Sequence, residues 1–433
     1  MYIKEKVISI LEYILAFCIV VNANTVWNFS YCSQYLWIYT IIILYLLIIL
    51  SVKHIKKNKR RLFILGILLI IISSYNVIFI MINSRSKGTF IIDFMAVLLG
   101  FIIYSLICVN KEDRYRLLLK ISNIVVILAI ISLIFYFGGT IFKYFKPTEY
   151  IPYHWGFTRK IPSYHGIYYE TQKVLIGGKV FTRNTGIFTE APMYGFSLSI
   201  ALITELFVRK VKEIKNLIIF LISMPILIFT ILTTLSTTAI GVMSVAIPIR
   251  ILISIINNLK KSKKIILVNI ILLIILAFVG LKVGGYFLHN KIKNSAHNKY
   301  ASFSVRKDDF KVGYKVWEEN KIWGVGFDQY QYVQQQMNFI GRGSDIGGSS
   351  ALMKVMPEGG IVLLMLYIIP FVLAMLYGIK KKDLYVISIF IFVYILFAVT
   401  EIQYRYMMIY FLALGFSYIL TIKEEKCLKE NNK

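Results

Sequence analysis

Apolar runs of about twenty residues recur along the chain, separated by short polar or basic connections. They fall at Val7–Ala23, Tyr35–Val52, Leu62–Ile82, Phe90–Val109, Leu118–Gly138, Pro192–Val208, Leu217–Leu235, Thr238–Ile256, Ile265–Phe287, Gly360–Gly378, Leu384–Val399 and Tyr404–Ile422. A helix of that length crosses a hydrocarbon core, and lipid offers an unpaired backbone no partner. The pattern therefore predicts an all-α polytopic membrane protein with about twelve transmembrane helices. The gaps at Ser236–Thr237 and Thr400–Gln403 are so short that each flanking pair must form a tight hairpin. Val21-Asn22-Ala23 has the small residues of a signal-peptide cleavage site, but the run before it is read as the first span, and the remaining topology is the same either way.

Two long segments interrupt the spans. They divide the chain into N-terminal transmembrane helices (1–139), a first long loop (140–191) and central helices (192–287). A second long loop (288–359) is followed by C-terminal helices and a tail (360–433). Both loops are rich in aromatics: Tyr150, Tyr153, Trp155, Phe157, Tyr164, Tyr168 and Tyr169 in the first, Tyr300, Tyr314, Trp317, Trp323, Phe327 and Tyr330 in the second. Such composition suits packing, sugar stacking or membrane-interface contact, and it places the chemistry in these loops.

Composition agrees with the pattern. Of 433 residues 58% are hydrophobic and 16% charged, with a mean hydropathy of +0.70. These values exclude a soluble enzyme, a disordered chain and a disulfide-rich module. Forty-nine Lys and Arg against 22 Asp and Glu give a net charge of +27. Much of it lies in Lys53–Arg61, Lys111–Lys120, Arg209–Lys215, Lys260–Lys264, Lys380–Lys382 and the tail from Lys423, all on one side of the predicted spans. The positive-inside rule puts that side, and both termini, in the cytoplasm, and the two long loops outside. Nucleic-acid motifs are absent from the sequence, so no nucleic-acid partner is expected. Cys18, Cys32, Cys108 and Cys427 form no Cys-x-x-Cys, and His54, His154, His165, His289 and His297 have neither metal-ligand nor triad spacing, so no metal or cofactor is expected. Glu12, Asp93, Glu205 and Lys282 lie within about two turns of a span's end, close enough to snorkel. Glu401 and Arg405 are spaced for an i,i+4 ion pair.

Two stretches of the outer loops carry candidate chemistry. Arg183-Asn-Thr-Gly-Ile-Phe-Thr-Glu-Ala-Pro192 runs into a span whose N-terminus faces outward. Pro192 suits a first helical turn, and the positive end of the helix attracts anions. Arg183 adds a planar fork suited to phosphate oxygens. Glu190 is either a capping carboxylate or a general base. In the second stretch Arg306, Phe310, Tyr314 and Trp317 recur at helical spacing, with Lys307 beside Arg306. They offer an arginine next to stacking faces for a sugar phosphate, or else an amphipathic helix docked on the bundle. In Trp323-Gly-Val-Gly-Phe-Asp328 the glycines permit a sharp turn, and Asp328 is placed to cap the short helix behind it. Glu358-Gly-Gly360 opens the next span.

RNTGIFTEAPMYG, TTLSTTAIGV, KVWEENKIWGVGFDQY and SSALMKVMPEGGIVLLM together resemble the O-antigen polymerase and ligase superfamily. The Arg-x-x-Gly-x-Phe-x-Glu-x-Pro run is similar to that of Wzy-type repeat-unit polymerases. The resemblance covers about Arg183 to Met365. It implies a GT-C-like, metal-independent glycosyltransferase of the bacterial cytoplasmic membrane, serving capsule, exopolysaccharide or O-antigen synthesis. Its substrates would be undecaprenyl-diphosphate-linked oligosaccharides at the outer face, with a flippase and a chain-length regulator of the same pathway as candidate partners. On that basis Arg183 and Arg306 are expected to stabilise the departing diphosphate and Glu190 to serve as base. Lys307, Tyr314, Trp317, Trp323 and Ser349 are expected to bind substrate. The ligase branch carries a histidine nine residues before its Glu-x-Gly step, and here that position is Ser349, which favours a polymerase over a ligase. A flippase or transporter of the lipid-linked oligosaccharide, and a structural partner of a glycan export complex, are the readings from other classes.

Overall fold

A computed structural model of the chain describes residues 2–51, 59–82, 94–107, 114–153, 159–176, 179–211, 213–258, 267–268, 271, 302–337 and 347–430. The span expected at Ile265–Phe287 lies almost wholly outside these residues, as do Asp93, Lys282, His154, Trp155, Phe157, His289, His297 and Tyr300. The helices are α1 (Tyr2–Asn22), α2 (Leu36–Ser51), α3 (Lys59–Ile82), α4 (Val97–Ile107), α5 (Arg116–Phe135), α6 (Ala191–Phe207) and α7 (Ile214–Thr234). They continue as α8 (Thr237–Asn258), α9 (Ser302–Glu319), α10 (Gln331–Gln335), α11 (Leu352–Lys381), α12 (Leu384–Val399) and α13 (Tyr406–Glu430).

Among the described residues five helices are long and apolar enough to cross a membrane: Leu65–Ile82, Arg116–Ile141, Ile214–Thr234, Thr237–Asn257 and Leu352–Lys381. Shorter apolar helices, α2, α6 and α12 among them, accompany these. The molecule is a mostly helical, polytopic membrane protein. The faces sort by environment. α6 is buried on all sides apart from Pro192, whereas α7 turns Leu217, Ile218, Leu221, Ile222 and Phe229 outward, as a helix bordering lipid must. The α7–α8 hairpin is as tight as its sequence requires, with Leu235 in the left-handed region and only Ser236 before α8.

Two expectations about buried charge are corrected. Glu12 does not snorkel. It is 1% exposed, paired with Lys120 and with Arg116 Nε at 2.7 Å, and it accepts a hydrogen bond from Tyr104. Glu205 is likewise buried, pairing with Arg209 Nε at 2.6 Å and accepting from Ser122 and Ser223. Full burial of an ionised carboxylate in such a medium requires partners of this kind.

The all-α expectation holds for the bundle but not for the first long loop. There β1 (Glu149–Tyr153), β2 (Arg159–Tyr164) and β3 (Tyr168–Tyr169) form one antiparallel sheet, and β4 (Lys173–Ile176) and β5 (Lys179–Thr182) form a hairpin. Alternation of β-branched and aromatic residues is the local cause: Ile151, Tyr153 and Ile161 turn inward and pack with Val26 and Tyr169.

The second loop is held by a lock of glycines. α11 starts at Leu352, ahead of its expected start, and kinks at Gly360, whose φ is 58°. Gly324, with φ of 70°, presses its backbone against Glu358 and Gly359. Gly326 donates its N–H to Glu358 O at 2.9 Å, and Ile361 donates to Lys321 O at 2.8 Å. A side chain at Gly360 would meet Ile322 O at 2.2 Å. Asp328 does not cap the short helix: it sits at φ 57°, two residues before the cap position Tyr330 of α10.

Both long loops, the α1–α2 turn, the α7–α8 turn and the α12–α13 connection meet at one end of the bundle. Thr189 donates its N–H to Asn24 O, Asn184 to Thr233 O, Ala351 to Thr400 O, and Tyr406 to Asn22 Oδ1. At the opposite end Arg116 and Lys120 gather with the start of α1, and Arg209 with Asn123 and Glu205.

Candidate functional site

At the loop end, the entry to α6 is organised by Gln172 rather than by Glu190. Gln172 Oε1 accepts the N–H of Ala191 at 3.1 Å and Nη1 of Arg183 at 3.0 Å. Arg183 Nε donates to Thr234 O at 2.7 Å, at the C-terminus of α7, where helix carbonyls favour a cation. Glu190 is the cap residue by position, but its side chain makes no capping hydrogen bond. Its carboxylate acts electrostatically on three arginines from separate parts of the chain: Arg183, Arg306 of α9, and Arg405 in the α12–α13 connection. Burial lowers the Arg183 guanidinium to about 10, with Glu190 working against that shift. Burial also lowers Arg306 and Arg405, opposed first by Asp309 and Glu401 respectively and only then by Glu190. All three remain cationic at neutral pH.

The two stretches singled out in the sequence thus come within electrostatic reach of one carboxylate, with Asp309 acting more strongly on Arg306. On α9, Asp309 lies a turn beyond Arg306 and is 2% exposed; Ser349 Oγ donates to its Oδ2 at 2.5 Å. Arg306 Nε is buried without a hydrogen-bond partner. The helix packs through a different face from the one its aromatics suggested. Val305, Asp309, Val312 and Val316 are buried, and Gly313 allows close approach to Met353 of α11. Phe310 and Tyr314 remain exposed, and Tyr314 and Trp317 pair ring to ring at 5.4 Å. They stand about 12–17 Å along the helix from Arg306, so they do not join the arginine cluster. Lys307 is exposed on the same helix. Trp323 is half-buried against the main core.

Next to the cluster lies a cavity of about 410 Å³, walled by the α1–α2 turn, the glycine lock and the α12–α13 connection. Arg405 belongs to both, lining the cavity while it feels Glu190. Glu401 forms its ion pair with Lys354 instead of the expected Arg405, acting on Arg405 only electrostatically, and Glu358 accepts a hydrogen bond from Tyr404. Sequence reading missed Gln172, Lys354, Gln403 and the part played by Arg405. Arg405 was legible only as a spacing partner of Glu401, because its other neighbour, Glu190, lies more than two hundred residues away in the chain.

Fold and site together define a multi-pass membrane protein with three half-buried arginines where its loops converge. Residues 222–368 match the O-antigen ligase family. The family's enzymes transfer glycans in lipid-linked polysaccharide biosynthesis. No curated protein matches the chain. The matched stretch runs from α7 into α11 and includes Arg306 and Ser349, while Arg183, Glu190 and Arg405 come to the site from outside it.

Proposed function

We propose that this protein is an oligosaccharide repeat-unit polymerase acting at the outer face of a bacterial cytoplasmic membrane. It transfers a growing glycan from undecaprenyl diphosphate onto the next lipid-linked repeat unit. In the reaction an acceptor hydroxyl oxygen bonds to the donor's anomeric carbon, the bond from that carbon to the diphosphate breaks, and the hydroxyl proton passes to a carboxylate. The observation that carries this reading is that Arg183, Arg306 and Arg405, from three separate stretches of the chain, all lie within electrostatic reach of Glu190. Three half-buried cations suit a diphosphate that holds two charges while bonded to the glycan and gains a third as it departs, and Glu190, released from capping by Gln172, is a carboxylate beside them. The basic connections opposite support a cytoplasmic location for that end.

A ligase of the same family is the second reading, and the family name favours it. Against it stands Ser349, which occupies the place of the ligase histidine and donates to the buried Asp309. The test is reconstitution: purified protein in liposomes with lipid-linked repeat units should produce a ladder of polymers. Failure to extend them, together with transfer of preformed polymer to a different acceptor, would overturn the polymerase.

A further inference from the structure

The cavity beside the arginine cluster differs from it in character. Asp328, Glu358 and Glu401 face it along with Lys354 and Arg405, so its fixed charges nearly cancel. Glu401 is already paired with Lys354. An anion such as a phosphate gains little here, whereas a neutral ligand dense in hydroxyls finds both donors and acceptors. Trp37 on α2 and Tyr404 on the connection also line the cavity, and aromatic rings stack on the apolar faces of sugars.

One wall residue points to a missing partner. Gln403 is 5% exposed, and its Oε1 is buried without a hydrogen-bond donor. Leaving such an oxygen unpaired is costly, and native interiors rarely do so. A hydroxyl group in the cavity would satisfy it. The volume lies in the range of small-ligand sites, about 300–1,000 Å³.

We propose that this cavity seats the acceptor sugar, the residue of the incoming repeat unit whose hydroxyl is glycosylated. Trp37 stacks on its ring, Gln403 Oε1 accepts from one of its hydroxyls, and Arg405 forms the wall between this sugar and the diphosphate of the donor. The inference deepens the polymerase reading and rests on it for the word acceptor. The binding of sugar itself does not depend on that reading.

The experiment uses the full-length protein in detergent and, as probe, the repeat-unit oligosaccharide released from its lipid carrier by mild acid. Saturation-transfer NMR should detect binding to the wild type. Trp37→Ala and Gln403→Leu should each weaken it at least about tenfold, and each should raise the KM for lipid-linked acceptor by a similar factor with the donor KM unchanged. Gln403→Leu removes an unpaired buried oxygen without loss of volume, so its thermal unfolding should match the wild type and keep the comparison valid. Equal binding and equal acceptor KM in all three proteins would overturn the proposal, as would absence of binding to the wild type. Sugar binding that the two substitutions abolish, in a protein that extends no chains, would sustain the cavity as a sugar site and sink the polymerase reading alone.

Discussion

Arg183 is held by two scaffold contacts, its Nε on Thr234 O and its Nη1 on Gln172 Oε1, so the plane of its fork is fixed before any substrate arrives. A group preorganised in this way stabilises developing charge without reorganising as the reaction proceeds. By the size of effect typical of losing one such donor, Arg183→Ala should lower the rate of chain extension by roughly 10²–10³. Arg183→Lys keeps the charge but cannot make both scaffold contacts, so it should recover only part of that loss. Rates from reconstituted enzyme with lipid-linked substrate decide the matter, and an Arg183→Ala protein working at the native rate would remove Arg183 from the chemistry. Glu190→Gln separates two roles. Gln172 already takes the helix N–H, so the amide should leave stability unchanged while chain extension falls; undiminished extension would leave Glu190 as a charge that merely balances the arginines. The sequence made Arg183, Glu190 and Arg306 legible because each stands in a motif. It could not reveal Gln172 as the cap, since that choice depends on a loop folding back across eighteen intervening residues.

Among the elements, the kinked start of α11 is the one the site depends on most. The Trp323-Gly-Val-Gly turn and the Pro357-Glu-Gly-Gly360 kink each need glycine because the other passes so close. Both motifs were visible in the sequence, but their mutual contact was not, as local spacing carries no information about it. Gly360→Ala forces a side chain into the left-handed region, costing about 1–3 kcal/mol, and drives its Cβ against Ile322 O. We expect a lower unfolding temperature in detergent, with loss of chain extension because the kink fixes the Ile322–Gly326 turn of the second loop against the helix that carries Lys354. An unaltered melting curve would show that the kink is not what fixes the second loop. The α1–α5 pair supplies a separate test. Removing Glu12 leaves Lys120 and Arg116 facing each other in a buried setting, so Glu12→Leu should destabilise by about 3–5 kcal/mol. The double substitution Glu12→Gln with Lys120→Met should restore much of the loss. If the double variant unfolds no later than Glu12→Leu, the ion pair is not the reason these helices stay together.

Across the whole molecule, the hydrophobic pattern was enough to predict a mostly helical, polytopic membrane protein, because lipid imposes a length on the apolar runs of the sequence. The short strands of the first loop were hidden, being two to six residues long and unaccompanied by turn motifs strong enough to reveal them. The cavity was hidden too, since its walls come from α1–α2, the second loop and the last connection. What the fold achieves is to bring four distant stretches to one end and to set a cationic centre against a nearly neutral pocket. On the proposed reading, that division matches a donor whose diphosphate departs and the neutral acceptor sugar of a repeat unit whose own diphosphate does not react.

The claim that this end extends lipid-linked glycans is tested most directly in the cell. The gene is deleted, surface glycan is sized, and lipid-linked repeat units are assayed by leaflet beside a strain complemented with Arg183→Ala. We expect loss of long polymer with single repeat units accumulating on the outer leaflet, in both the deletion and the Arg183→Ala strain. Repeat units trapped on the inner leaflet would mark a flippase, and polymer of normal length that fails to attach would mark a ligase; either result would contradict the account.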